Sequence, residues 1–407
     1  MNVCVIGGGA SGLVSAVCAA QNGDKVKILE LRDRVGKKIL ATGNGKCNMT
    51  NADMSLSHYH GLKSEEASRA LVSDVFNKYS KEDVVDFFEK LGILISYNNG
   101  YAYPYSQQAS SVLDVLRFKL EALSVDVITD CTVDEIKKDK NIFNVYTDKG
   151  RFKADKVILS CGSRASLPDN IPDGYNLAVK LGHSIIGPLP ALVPITCKDA
   201  IFKSLAGIRT KGKITLFDSD NTEIAENFGE LQLAQYGVSG IPAFMISYQV
   251  SKQLKNGKKL YLILDFMPDI SRDDFISILK KRISDCPYKN AENLLIGLLN
   301  KNLALALIKD CGIDYRLSVS DFNEEDIVRL ADKIKSFRVH VSGTKQMKDA
   351  QVCAGGVDVS ELNSNLESKF VKGLYFAGEM IDVHGDCGGY NLQWAFSSGM
   401  VCGYDKN

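Results

Sequence analysis

The most specific chemical signal in the chain lies in its first thirty residues. Val3-Cys4-Val5-Ile6 reads as a short buried strand, and Gly7-Gly8-Gly9-Ala10-Ser11-Gly12 follows it directly, opening a helix of small residues from Leu13. In the spacing Gly7-x-Gly9-x-x-Gly12 the first glycine permits a tight turn. The second lets backbone approach a pyrophosphate at the helix N-terminus, and the third allows close helix-on-strand packing. A second strand, Lys25–Leu29, runs into Glu30 and Leu31, and Glu30 stands eighteen residues after Gly12, where a carboxylate accepts from ribose hydroxyls. Spacing, strand and acid together predict a dinucleotide site.

Three further stretches carry residues suited to the same ligand. Residues 39–51 include Gly43-Asn44-Gly45-Lys46-Cys47-Asn48-Met49-Thr50-Asn51, too dense in glycine and asparagine for a core helix or a regular strand. This loop is expected to lie along the cofactor with Lys37 or Lys38 near phosphate. The strand at residues 157–159 ends in Ser160-Cys161-Gly162-Ser163, returning backbone to the ligand edge of a sheet. Near the end, Gly373-Leu374-Tyr375-Phe376-Ala377-Gly378-Glu379 is a strand closing on a glycine and a carboxylate that can hold ribityl or ribose hydroxyls. It is followed by Asp382-Val383-His384-Gly385-Asp386-Cys387-Gly388-Gly389-Tyr390-Asn391-Leu392-Gln393, which opens a helix containing the single tryptophan, Trp394. A Gly-Gly helix start can aim N–H groups at an electron-rich ring. His58 and His60 are the one close histidine pair, with no evident third ligand, and read as a polar loop rather than a metal site.

The elements that must hold these residues follow from periodicity. Residues 64–91 read as helical, with a capping box at Ser80-x-x-Asp83, Val84, Phe88 and Leu91 on one face and a stop at Gly92. A second capped helix is expected from Ser111, with a rigid aromatic turn, Gly100-Tyr101-Ala102-Tyr103-Pro104-Tyr105, between the two. From 125 to 160 the period is that of strands, with a turn at Asp148-Lys149-Gly150. Pro188, Pro190 and Pro194 mark a boundary. Short strands over 192–266 read as a β domain, within which residues 236–242 match no phosphate-loop pattern, and 271–335 as helices opening at Ser271-x-x-Asp274. The expected organisation is α/β: a discontinuous Rossmann-like dinucleotide-binding domain over 1–190 and 337–407, an inserted β domain over 191–268 and an inserted helical domain over 269–336.

At 407 residues, 45% of them apolar, the chain has material for more than one core. Lys+Arg and Asp+Glu both total 49, so bulk charge points to neither nucleic acid nor an acidic membrane surface. No signal-like start and no membrane-length apolar run is evident, which predicts a cytoplasmic protein. Eleven cysteines without a Cys-x-x-Cys argue against a redox disulfide, a zinc ribbon or a cysteine-ligated cluster.

The glycine turn at residues 7–12, the loop at 43–51, Ala354-Gly355-Gly356-Val357 and the motif at 385–393 together resemble the bacterial BaiN-like (YhiN-type) FAD-dependent oxidoreductases, nearly end to end. The resemblance implies FAD, with Gly7, Gly9, Ser11 and Gly12 at the pyrophosphate, Glu30 at the adenosine ribose and the Val133 backbone at adenine. It places Gly378 and Glu379 on the ribityl–phosphate side, and Asn44, Gly45, Cys47, Asn48, Gly389, Asn391 and Leu392 around the isoalloxazine. Ala10, Leu31, Lys37, Lys38, Cys161 and Gly162 complete the expected cofactor set. His384, and less so Tyr101, are candidate proton donors; both depart from the family's common residues, so the substrate does not carry over. Three activities follow from the resemblance: NAD(P)H-driven reduction of an activated C=C bond in a small, steroid-like molecule, oxidation of an amine or aminoketone by O2, and a structural-FAD or RNA-modification role. The first is preferred, with NADH or NADPH as a transient donor and with no nucleic-acid or membrane partner.

Overall fold

The computed structural model describes residues 1–167 and 172–404. It divides into two compact units, Met1–Leu189 with Val352–Asn407, and Pro190–Gln351.

The first unit is built on a five-stranded sheet. β1 (Asn2–Ile6) lies at its centre, between β2 (Lys25–Leu29) and the strand Lys156–Leu159; Asp126–Ile128 and Leu374–Phe376 form the edges. Every pair is parallel, with Ile6 opposite both Leu29 and Leu159 and Leu159 opposite Phe376, so the strand ends share one edge. Val5, Ile28 and Ile158 are fully buried, as the near-continuous apolar runs of a sheet covered on both faces require. One cover is α1 (Ala10–Gln21), which packs against the last helix, Tyr390–Tyr404. Side chains are kept small where they cross: a Cβ on Gly399 would lie 2.6 Å from the Ser11 carbonyl oxygen, and one on Gly403 would lie 2.5 Å from Cys18 Cβ.

Between Asp126–Ile128 and Lys156–Leu159 runs the expected excursion, a three-stranded antiparallel sheet of Val133–Asp139, Ile142–Thr147 and Gly150–Ala154. Helices Glu65–Lys78 and Lys81–Lys90 form as expected, the second with the full Ser80/Asp83 capping box. Three expectations are corrected. The next helix is Ala109–Ala122, begun two residues before Ser111 and without a side-chain cap, the Ser111 hydroxyl bonding that of Ser106 instead. The aromatic turn is a strand, Tyr101–Pro104, paired antiparallel with Ile95–Asn98, because Asn99 and Gly100 both adopt positive φ (50° and 86°) and make a two-residue hairpin turn. Within the long loop, Lys37–Ala41 forms one short helix, with Ile39 buried.

The second unit is a closed six-stranded barrel in the order Ile195–Cys197, Gly237–Ser239, Glu223–Ala234, Ile208–Asp218, Leu260–Asp265 and Phe337–Thr344. Helices Ile241–Lys255, Arg272–Asp285, Lys301–Asp310 and Glu324–Lys335 share its core, which joins Ile214 and Leu262 of the strands to Ile246, Phe275, Leu307 and Ile334. The divisions read at 268/269 and 336/337 are therefore corrected. Phe337–Thr344 pairs with both Ile195–Cys197 and Leu260–Asp265, removing two sheet edges, so the chain returns to the first unit at Val352. Among the described residues no helix is long and apolar enough to cross a membrane.

Candidate functional site

The three motif glycines do different work. Gly7 has φ of 100° and a Cβ there would sit 2.5 Å from the Ser160 carbonyl oxygen; one on Gly12 would sit 2.0 Å from that of Gly7. Both are demanded by packing. Gly9 caps α1, and a Cβ there would meet nothing within 4 Å. No side chain caps α1 and no acid lies in its first turn, so its leading N–H groups are left uncapped as an anion site requires. Ala10 begins the helix, and Ser11 is buried within it. The Glu30 carboxylate closes the turn, accepting from Gly8 N–H at 2.6 Å and Arg32 N–H at 2.8 Å. Burial pushes its pKa above the ordinary carboxylate value, more than those two bonds pull it down. Leu31 follows half-buried. Cys131 N–H bonds the Glu30 carbonyl at 2.9 Å, which brings the start of the strand at Val133 beside this acid.

A second group gathers where Lys156–Leu159 and Leu374–Phe376 end. Gly162 has φ of 72°, and burial pushes the preceding Cys161 thiol up to about 12. Lys38 Nζ donates to the Ser163 carbonyl at 3.1 Å and lies 3.4 Å from Glu379 Oε2. Lys37 instead pairs with Asp33, so of the two lysines only Lys38 joins the site. Gly378, at φ 67°, lies so close to Ser11 that a Cβ would be 2.6 Å from its Oγ. Glu379 Oε1 and the Tyr175 hydroxyl are buried without a hydrogen-bond partner. Burial raises the Tyr175 phenol well above its ordinary pKa, and the Glu379 charge adds to this. Tyr175 escaped the sequence reading because nothing marks a tyrosine at the head of a six-residue helix. Free first-turn N–H groups, an acid at the glycine turn and a buried carboxylate oxygen short of a hydroxyl donor fit the pyrophosphate, ribose and ribityl parts of FAD.

The remaining expected residues meet around a third locus. Asn51 Nδ2 donates to the Gly388 carbonyl at 2.8 Å, and a Cβ on Gly389 would lie 2.5 Å from the Thr50 oxygen. With its amide oriented to match its neighbours, Asn48 donates to the Ala102 and Thr50 carbonyls and accepts from Gly389 N–H at 3.2 Å. That N–H, expected to face a ring, is thus engaged by the loop. Asn391 shapes its own turn, accepting from Gly385 N–H at 2.8 Å and donating to the Gly385 and Asp386 carbonyls. Leu392 packs half-buried on the core. Asn44 and Gly45 are exposed at positive φ, whereas Cys47 is buried and its thiol pushed up to about 12. Tyr101 lies beside Gly388, its Cε1 3.1 Å from where a Cβ would stand.

His384 is only 3% exposed and sits opposite His60 in a two-residue strand pairing. Beside it lies a cluster that the sequence reading missed. The Asp386 carboxylate contacts His58 Nδ1 and His60 Nε2, each at 3.0 Å, and His58 stacks on Tyr390 with centroids 4.3 Å apart. Burial works to raise the Asp386 pKa, but bonds from His60 and His58 overcome it and hold the carboxyl below its ordinary value. The pairing was hidden because the histidines and Asp386 are more than 300 residues apart. Among the described residues no three His, Cys, Asp or Glu side chains are placed to hold a metal ion.

Compared with known proteins, the chain matches the family described as HI0933-like protein Rossmann domain over residues 1–405. It is 38% identical over 406 residues to the 3-dehydro-bile acid delta(4,6)-reductase of Clostridium scindens, covering 98% of this chain and 97% of that protein. It is 29% identical over 407 residues to the ribosomal RNA dihydrouridine synthase of Escherichia coli, covering 98% and 96% respectively. Among solved structures, a 3-ketosteroid-delta4-(5alpha)-dehydrogenase from Rhodococcus jostii aligns with a TM-score of 0.49 at 13% identity, covering 98% of this chain and 96% of that one.

Proposed function

Because the chain belongs to the HI0933-like family of FAD-dependent Rossmann flavoproteins, we propose that it is a reductase saturating a C=C bond conjugated to a carbonyl in a small, largely apolar organic substrate. The observation that carries this reading is the 38% identity, over 98% of the chain, with a protein named as a bile-acid delta(4,6)-reductase. NADH or NADPH is the reductant: NAD(P)H, a proton and the alkene give NAD(P)+ and the saturated product. Bound FAD supplies hydride transfer between the two. The chain's own residues bind and orient. The first-turn N–H groups of α1 take the pyrophosphate and Glu30 the ribose; Glu379 and Lys38 take the polyol and its phosphate, and Asn48 with Asn51 fixes the turn at Gly388 and Gly389. None of the eleven cysteines forms a disulfide, which supports a reducing cytoplasmic setting.

A second reading has its own support: the Escherichia coli relative is named for dihydrouridine formation in ribosomal RNA, also the saturation of a conjugated C=C bond. The equal totals of 49 basic and 49 acidic residues provide none of the bulk attraction to phosphate that RNA binding draws on, which favours the small molecule. The test is anaerobic mixing of FAD-loaded protein with NADH, then NADPH, followed by a conjugated steroid enone or a uridine-containing RNA. Bleaching of the flavin by a nicotinamide and its recovery with the enone is expected. No bleaching by either nicotinamide, with bleaching by small amines and peroxide formed on admitting air, would replace the reductase by an amine oxidase.

A further inference from the structure

Saturating an enone needs a proton as well as a hydride, and the Asp386 cluster is arranged to hold one. The strand Tyr59–His60 pairs with His384–Gly385, and Asp386 N–H bonds the His58 carbonyl at 3.0 Å, so the segments carrying the three side chains are tied together. Asp386 bridges the two imidazoles, and each imidazole meets a second carboxylate: His58 Nε2 lies 3.3 Å from Asp53 Oδ2, and His60 Nδ1 lies 3.3 Å from Glu65 Oε1. A ring with a carboxylate at both nitrogens donates to both only when it carries two hydrogens. Around this row stand Arg69, paired with Glu65, the ring of His384 5.4 Å from that of His60, and Tyr390 stacked on His58. His58 is the accessible member, its side chain 27% exposed against 17% for His60, and Tyr390 follows directly on the Gly388–Gly389 turn.

We propose, resting on the reductase reading above, that His58 is the proton donor of the reaction and that Asp386 and His60 are its positioning residues. Hydride adds to the substrate's β-carbon and the π pair moves onto the α-carbon and carbonyl. The α-carbon then forms its C–H bond as the Nε2–H bond of His58 breaks, the bonding pair staying on nitrogen. His58 regains its Nε2 proton from solvent at the Asp53 side, while its Nδ1–H stays on Asp386. His384, whose ring is buried behind His60, is displaced from the donor role expected of it.

The experiment separates the two half-reactions of the FAD-loaded protein by stopped flow, comparing wild type with Asp386→Asn and His58→Gly after matching their flavin absorbance. Bleaching by NAD(P)H is expected to change less than about twofold, whereas reoxidation by the enone slows about 100-fold, the lower range for a lost general acid. Added imidazole restores reoxidation in His58→Gly, which a merely structural residue would not allow. Equal slowing of both half-reactions, unchanged reoxidation in Asp386→Asn, or no rescue by imidazole overturns the assignment while wild-type turnover keeps the reductase reading intact. A reduced wild-type protein that no enone reoxidises removes the reading and the assignment together.

Discussion

Replacing Glu379 by glutamine tests the cofactor cradle with two readouts. Its Oε1 is buried without a partner, while Oε2 lies 3.4 Å from Lys38 Nζ. A hydrogen bond to a charged group contributes about 1.5–3 kcal/mol, and one to a neutral amide oxygen about half as much. A ribityl hydroxyl donating to Oε1 therefore loses about 1 kcal/mol on Glu379→Gln, roughly a fivefold rise in Kd for FAD. Glu379→Ala removes the acceptor altogether, which is worth about 1.5–3 kcal/mol or roughly 10- to 150-fold. Without FAD, Glu379→Gln takes no donor from Oε1 and gives up only the charge facing Lys38. As 19% of the side chain still meets solvent, that pair contributes no more than about 1 kcal/mol, so apo stability falls by at most that amount. Kd is read from the quenching of flavin fluorescence as apoprotein is titrated, and apo stability from thermal unfolding. An unchanged Kd would refute the assignment of Glu379 to the polyol.

Three further outcomes are expected. Tyr175→Phe removes a buried hydroxyl that has no partner, so the apoprotein gains up to about 1–3 kcal/mol, and if the hydroxyl contacts FAD the Kd rises in the same variant; a Kd that stays put removes Tyr175 from the site. Gly9→Ala meets open space and leaves apo melting unchanged while weakening FAD, whereas Gly12→Ala drives a Cβ to 2.0 Å from the Gly7 oxygen and costs at least the 1–3 kcal/mol typical of overpacking; equal melting of the two variants would contradict this. His183, its side chain fully buried between Glu361 and Ser368, has its pKa pushed below 6.5 by burial, partly offset by Glu361. The unfolded chain then takes up this proton at higher pH than the folded one, so the contribution is full above pH 6.5 and is lost as the pH falls below it. Urea midpoints measured from pH 7.5 down to 5 are expected to drop less steeply in His183→Gln than in wild type.

What the sequence revealed and what it concealed divides along contact range. The turn at Gly7, α1, β2 and Glu30 all lie within thirty residues, and the spacing specifies them because each glycine's requirement is met by its immediate neighbours. The capping box at Ser80 and the Asp148-Lys149-Gly150 hairpin were legible for the same reason. The Asn99-Gly100 hairpin was a local signal too, but three tyrosines in close sequence drew attention from the two residues that make the turn. Barrel closure by Phe337–Thr344 carried a clear alternation, with Phe337, Val339 and Val341 buried and Arg338, His340 and Ser342 exposed. Its partners lie in strands read as another domain, so the alternation alone did not place it. Asp386 had no local signal for its pairing: within His384-Gly385-Asp386-Cys387-Gly388 it reads as a turn residue until the fold sets His58 and His60 against it.

The crossing of α1 with Tyr390–Tyr404 has a consequence for how the protein is made. Asn22 Nδ2 reaches the Tyr404 carbonyl at 3.2 Å across 382 residues of sequence, so the two helices that brace the central sheet leave the ribosome far apart in time. The strand Lys156–Leu159 must wait for its neighbour Leu374–Phe376, roughly 10–40 s at translation rates of about 5–20 residues per second. During that interval the barrel unit, contiguous in sequence, is completed on the nascent chain, while the sheet keeps an open edge able to pair with other polypeptides. Glu379 and Asp386 arrive only afterwards. The cofactor cradle is thus completed only after the barrel unit, and a nascent-chain chaperone has more to protect in the first 160 residues than in the 160 that follow the boundary at Pro190.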